Sequence, residues 1–222
     1  MFFPLKSNEP TIKAPIVTIL IISANILAFV YQQFSLMADG RSLAAIYGAI
    51  PYELTHAVDL RPRSPYPVYY SILSYMFLHG GFLHIIGNML FLNAFAPNIE
   101  DVMGHSRFLI FYVLCGIVAV IVYIIPNYNS AIPLVGASGA IAGVMGAHLR
   151  ILPGTRIRCL LLFFRINLPA LVILFPWIML QFANVITHEQ SNVAFIAHIG
   201  GFLFGMGMGR KFQSRRYRSV FY

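Results

Sequence analysis

Apolar residues gather into six runs, at about 15–34, 82–99, 107–125, 138–150, 168–186 and 195–209, with polar and basic stretches between them. A helix of about 20 residues crosses the hydrocarbon of a bilayer, so the runs predict an all-α, polytopic membrane protein with six transmembrane helices. The longest connection, about 35–81, holds Gly40, Pro51, Pro62, Pro65 and Pro67 together with amphipathic patches such as Leu43 to Leu54. It is too long for an idle turn and too apolar for a solvated tail, so part of it is expected to lie in or against the membrane. The expected division is an N-terminal segment 1–14, a membrane domain 15–209 and a basic tail 210–222. No low-complexity stretch or separate soluble domain is visible.

Composition agrees with the pattern. Hydrophobic residues make up 59% of the 222 and charged residues 10%, against roughly 45–50% and 25% for a soluble domain. Lys6 and Lys13 precede the first run as in a signal peptide, but the run is long for one and has no small-x-small cleavage site. It reads as a membrane anchor.

The net charge of +8 would suit nucleic acid if it were spread over a soluble face. Instead Arg210, Lys211, Arg215, Arg216 and Arg218 directly follow an apolar run, as on the cytoplasmic flank of a membrane helix. With the N-terminus inside, the inner segments hold these five with Lys6, Lys13, Arg107, Arg150, Arg156, Arg158 and Arg165, twelve in all. The outer segments hold Arg41, Arg61 and Arg63. The bias places both termini in the cytoplasm, and a multi-pass protein of a bacterial inner membrane is expected. The second, fourth and sixth spans then run inward. Lipid is the expected surroundings and nucleic acid is not an expected partner. Cys115 and Cys159 suggest neither a disulfide nor a metal site.

Those three inbound spans carry the polar groups: His84 and Asn88 in the second, Ser138 at the start of the fourth, His198 in the sixth. Ser138 stands 12 residues before Arg150, His198 12 before Arg210, and Asn88 12 before Glu100. At 1.5 Å per residue each lies roughly 18 Å above its inner flank. In a core of about 30 Å that is some 10 Å below the outer surface. A serine or asparagine alone in such a helix reads as a packing or interhelical residue, and a histidine alone equally as a satisfied interhelical hydrogen bond or a functional group. Those separate readings do not explain a shared depth.

Gly139 and Gly143 in the fourth span, and Gly201, Gly205 and Gly209 in the sixth, recur every four residues, a spacing that lets helix backbones approach closely. His198 is three residues before Gly201, on the approaching face. Pairing these helices could bring the imidazole to the Ser138 hydroxyl. Because Ser138 opens its helix, the first-turn amides lie free at the positive end of the dipole. His84 and Asn88, at i and i+4, could add donors for an oxyanion. A serine beside a histidine with convergent donors suits acyl transfer. With no Asp or Glu inside any predicted span, the expectation is a Ser-His dyad without metal or cofactor.

The segments His79-Gly-Gly-Phe-Leu-His84-Ile-Ile-Gly-Asn88, Gly136-Ala-Ser138-Gly139 and Ala197-His198-Ile-Gly-Gly201, in that order, resemble the three signatures of rhomboid proteases over residues 45 to 209. The resemblance implies a six-helix fold with a water-filled cavity open to the outer face, and cleavage of transmembrane substrates. It assigns Ser138 as nucleophile, His198 as base, and His84 and Asn88 as oxyanion donors. Two features depart from it. The single tryptophan is Trp177, in the fifth span, so the long first loop lacks the family's Trp-Arg pair. Ala142 stands where some members place an aromatic one turn after the nucleophile, so something else orients His198. Two other classes compete: a catalytically inactive rhomboid-like protein that binds membrane clients, and a transporter or channel. Retention of both Ser138 and His198 argues against the first. The second calls for charged residues within the spans and an inverted repeat, and neither is seen.

Overall fold

The computed structural model describes residues 2–60, 66–187 and 194–214. Strand β1 (Phe2–Ser7) is followed by helix α1 (Ile16–Asp39). The first long connection forms α2 (Leu43–Tyr47), α3 (Pro51–His56), α4 (Ser71–Ser74) and two 3-10 turns at Val68–Tyr70 and Tyr75–Phe77. Helices α5 (Phe82–Met103), α6 (His105–Asn127) and α7 (Ser138–Ile151) come next. A hairpin of β2 (Arg156–Leu161) and β3 (Phe164–Pro169) then leads into α8 (Ala170–Ile186) and α9 (Phe195–Phe212). By length and composition α1, α5 and α6 can each cross a membrane, and α8 is a shorter apolar helix. The bundle is a helical, polytopic membrane domain.

The packing of α7 explains why a site can lie below the surface. Its 14 residues span about 21 Å, short of a core of about 30 Å. All of its residues from Gly139 to His148 are buried, so it is the centre of the bundle. Helix α9 lies along it at backbone contact. A Cβ on Gly201 would overlap the Gly139 carbonyl oxygen, one on Gly205 the Gly143 carbonyl oxygen, and one on Gly146 the Phe202 carbonyl oxygen. Among apolar tails, close van der Waals packing of this kind drives helix association.

The three-stranded sheet is not in the all-α expectation. β1 pairs antiparallel with β2, Phe2 facing Leu161 and Ser7 facing Ile157, and β2 pairs with β3. The segment 1–14 therefore contributes a strand, held against α5 where Asn93 Nδ2 donates to the Leu5 carbonyl at 2.9 Å. At the inner edge of the second span, helix α5 runs on past residue 99 to Met103 and takes in Glu100 and Asp101. Glu100 is buried because it has partners. Its carboxylate accepts the first-turn N–H groups of Val17 and Thr18 at 2.8 Å and the Thr18 hydroxyl at 2.6 Å. It thereby supplies the positive end of α1 with the acid that its own first turn lacks. Asp101 accepts the N–H groups of Ile12 and Lys13 in the segment that leads into α1.

Four chain segments meet at one end of the bundle. The N-terminal strand joins the 156–169 hairpin, the α5–α6 corner lies beside them, and the Ser214 N–H reaches the Val102 carbonyl. These are the segments grouped as inner from their basic residues, and we refer to this as the basic end. At the opposite end the Ala49–Leu134 bridge, and the bond from the Thr55 hydroxyl to the Tyr128 carbonyl, tie the first long connection to the 128–137 loop. Arg41 there pairs with Asp39. Arg61, Arg63, Arg215, Arg216 and Arg218, with most of the expected basic tail, lie outside the described residues.

Candidate active site

Ser138 begins α7 at the end of a loop fixed from several sides. The Gly136 N–H donates to the Tyr75 carbonyl at 2.9 Å, and the Tyr75 hydroxyl donates to the Gly116 carbonyl at 2.7 Å, which ties the loop to α6. Gly136 has φ +127°, and a Cβ there would stand 2.8 Å from His84 Nε2. Both the backbone angle and the close imidazole call for glycine. Across the site, the Gln32 side-chain amide brackets the His79 backbone, donating to its carbonyl at 2.7 Å and accepting its N–H at 3.2 Å. This fixes the turn from which α5 and His84 start.

The close α7–α9 approach delivers the central contact. His198 Nε2 lies 2.8 Å from Ser138 Oγ. The other ring nitrogen, Nδ1, lies 2.8 Å from Gln181 Oε1 on α8. The Gln181 amide nitrogen donates to the Trp177 carbonyl at 3.1 Å, which leaves Oε1 facing the imidazole. An amide oxygen only accepts, so the network assigns the proton to Nδ1 and leaves Nε2 to accept from the serine hydroxyl. The Trp177 indole lies over the same imidazole, with centroids 5.7 Å apart at 34°. Gln181 and Trp177 thus touch the His198 ring, which Ala142 has no aromatic side chain to stack on. The depth count that singled out Ser138, His198 and Asn88 could have found Gln181, which stands 11 residues after the start of α8 at Ala170.

Ser138, His198, His84 and Asn88 line one cavity of about 220 Å³, walled by apolar side chains such as Phe91 and Met145. His84 Nδ1 accepts the Gly80 N–H at 3.3 Å, so the single ring proton sits on Nε2, which is a donor beside Gly136. Asn88 Nδ2 is buried without a hydrogen-bond partner among the described residues. A buried amide donor left open needs an acceptor from elsewhere, and it lines the cavity that holds Ser138. Helix α7 has no side-chain cap among the described residues, so its first-turn amides are open as well. A carbonyl placed above Ser138 would meet a hydroxyl, an imidazole and several open donors.

No group of three or more His, Cys, Asp or Glu able to hold a metal occurs among the described residues. Glu100 is at the basic end, 12 residues below Asn88, and takes no part in the cavity. Cys115 and Cys159 are free and buried. Gly139, Gly143, Gly201 and Gly205 lie in the α7–α9 seam rather than at the cavity. A larger cavity of about 490 Å³, among Tyr47, Tyr70 and Phe77 of the first long connection, has no histidine in its wall.

A family model described as the Rhomboid domain matches residues 67–215. The chain is 30% identical over 158 residues to the putative rhomboid protease YdcA of Bacillus subtilis, covering 67% of this chain and 71% of that one. It is 30% identical over 141 residues to RHOMBOID-like protein 5 of Arabidopsis thaliana, covering 63% of this chain and 43% of the relative. It is 32% identical over 138 residues to the rhomboid protease GluP of Bacillus subtilis, covering 62% and 25%. The chain thus spans less than half of the plant relative and a quarter of GluP.

Proposed function

The chain belongs to the rhomboid family, and on that premise we propose that it is an intramembrane serine endopeptidase that cuts transmembrane segments of membrane proteins. The observation that carries the reading is the 2.8 Å contact between His198 Nε2 and Ser138 Oγ in a cavity lined by unused donors. It favours a peptidase over a client-binding protein without chemistry, which has no need of a nucleophile and base in register.

His198 Nε2 takes the Ser138 proton as Oγ attacks the scissile carbonyl carbon. The tetrahedral oxyanion is held by the first-turn amides of α7, Asn88 Nδ2 and His84 Nε2–H. Donors placed where charge develops are the largest single source of rate in such reactions. The C–N bond then breaks, and His198 gives its proton to the leaving nitrogen. Water, deprotonated by the same imidazole, hydrolyses the acyl-enzyme and restores Ser138. Gln181 accepts from Nδ1–H throughout and keeps the ring in the tautomer that can receive the serine proton. It is a neutral partner and so orients the imidazolium more than it neutralises it.

Ser138 at the top of a helix about 21 Å long puts the cut on the side away from the basic end. With that end in the cytoplasm, as the positive-inside bias supports, cleavage falls near the outer face. A helical substrate must unwind before its carbonyl can be attacked, and freed amides find no water in hydrocarbon. Small residues at the cut and glycine or proline just beyond it toward the membrane centre make that unwinding easier. The test is mass spectrometry of products from a single-span substrate, with a fluorophosphonate probe in parallel. We expect cuts near the outer boundary and an adduct on Ser138. Cuts clustered at the cytoplasmic boundary, or labelling unaffected by Ser138→Ala, would overturn the reading.

A further inference from the structure

The three strands contain no aspartate or glutamate. Cross-strand partners in an antiparallel pair share a face, so the register sorts the sheet into two surfaces. Pro4, Ser7, Ile157 and Cys159 are buried on one of them. The other presents Lys6, Arg156, Arg158 and Arg165, all exposed. Lys6 stands directly opposite Arg158, a like-charge pairing that destabilises a sheet. None of the four pairs with an acid among the described residues. Such a surface calls for anions from outside the fold.

The tip of the sheet has the opposite character. Leu161 and Phe164 are partners on the face that is buried farther along, yet they are 42% and 72% exposed. The sheet therefore projects past the helices there. Leu162 and Phe163 between them are 59% and 93% exposed. Leu162 has φ +55°, a turn angle at which glycine or asparagine is far less strained than leucine. Bulky apolar residues thus occupy a position where turn geometry disfavours them and water would too.

The direction of the sheet explains what they meet. The Glu9 carbonyl accepts from Asn98, and the Leu5 carbonyl accepts from Asn93, five residues higher on α5. β1 therefore climbs about 7.5 Å along α5 between these bonds, away from the basic end. Its Phe2 end, and the paired Leu161, lie farther up still. The turn therefore points along α5 away from the basic end, and the cationic face lies nearer to that end.

We propose that this sheet is a lipid-binding wedge, in which the Leu161–Phe164 turn enters the hydrocarbon boundary and Lys6, Arg156, Arg158 and Arg165 hold the phosphates of anionic phospholipids. The wedge requires only that the bundle spans a membrane, and it is independent of whether Ser138 cuts a substrate.

The test uses the full chain carrying Ser138→Ala, so that loss of peptidase activity leaves the readout untouched. A nitroxide on Phe163→Cys is placed in vesicles of phosphatidylcholine with phosphatidylglycerol, and its depth is read from oxygen and nickel-chelate accessibility. Protein without that cysteine is the control. Its thiols are buried, and burial pushes the Cys159 thiol up to about 11, so it should take no label. The wedge places the nitroxide about 5–10 Å below the phosphates. A label open to nickel in the water phase would overturn it. Native mass spectrometry reads the charge half. Each basic group near an anionic surface strengthens attachment about fivefold, so Arg158→Gln with Arg165→Gln should weaken retention of phosphatidylglycerol about 25-fold. Equal retention by the double variant and its parent would also overturn the proposal.

Discussion

Gln181→Leu isolates the part of the site that holds the base without touching substrate. Gln181 is buried, 4% exposed, and is not in the cavity wall. Its Oε1 is 2.8 Å from His198 Nδ1. Leucine fills much of the same space and removes the acceptor. The Nδ1–H then stays buried without a partner, at a cost of about 1–3 kcal/mol. The alternative is that the ring moves its proton to Nε2, which can no longer receive the serine proton. Either route raises the barrier, and 1–3 kcal/mol corresponds to about a 5- to 150-fold loss in kcat. KM should change by less than about twofold, because a group acting only on the chemical step leaves ground-state binding alone. The assay is turnover of a quenched fluorescent transmembrane peptide in liposomes over a range of substrate fractions. Thermal melting confirms that the variant is folded. Gln181→Glu keeps an acceptor and should recover most of kcat. A folded leucine variant with wild-type kcat, or one whose loss lay wholly in KM, would refute the positioning role.

His84→Ala and Asn88→Ala should each lower kcat more than they raise KM, at the lower end of the roughly 10²–10³ range for an oxyanion donor, since several donors share the charge. A variant that binds poorly but turns over normally would recast the residue as a substrate contact. Gly205→Ala sets a methyl into the Gly143 carbonyl oxygen. Overpacking of about 1–3 kcal/mol should lower the Tm by several degrees, and an unchanged melt with full activity would contradict the close approach. Glu100→Ala frees the Val17 and Thr18 amides of α1. It should lower the Tm by a similar or larger amount, with kcat kept at temperatures where the protein is folded. Loss of kcat without loss of stability would mean that Glu100 acts at the site.

The residues at the cavity were legible because a bilayer makes depth countable. Equal spacing from basic or acidic flanks put Ser138, His198 and Asn88 at one level, and the four-residue glycine repeats named the helices that would meet. What escaped was non-local or off-pattern. β1 and its partner β2 are separated by about 150 residues, so neither carries the other's signal. The β2–β3 turn has leucine and phenylalanine where a hairpin usually shows glycine or asparagine. Gln181 escaped because the depth count was not carried to α8 and the partner of the His198 ring was sought as a carboxylate or an aromatic. Glu100 was read as a flank, although α5 continues through it once the α1 amides give its carboxylate partners.

The central claim is that Ser138, activated by His198, cuts peptide bonds within the membrane. It is met most directly by incubating purified wild type and Ser138→Ala with the same single-span substrate in liposomes and following both products by mass. The account predicts steady cleavage by the wild type, and none by a serine-to-alanine variant that melts as the wild type does. Cleavage by that variant at the wild-type rate would contradict it.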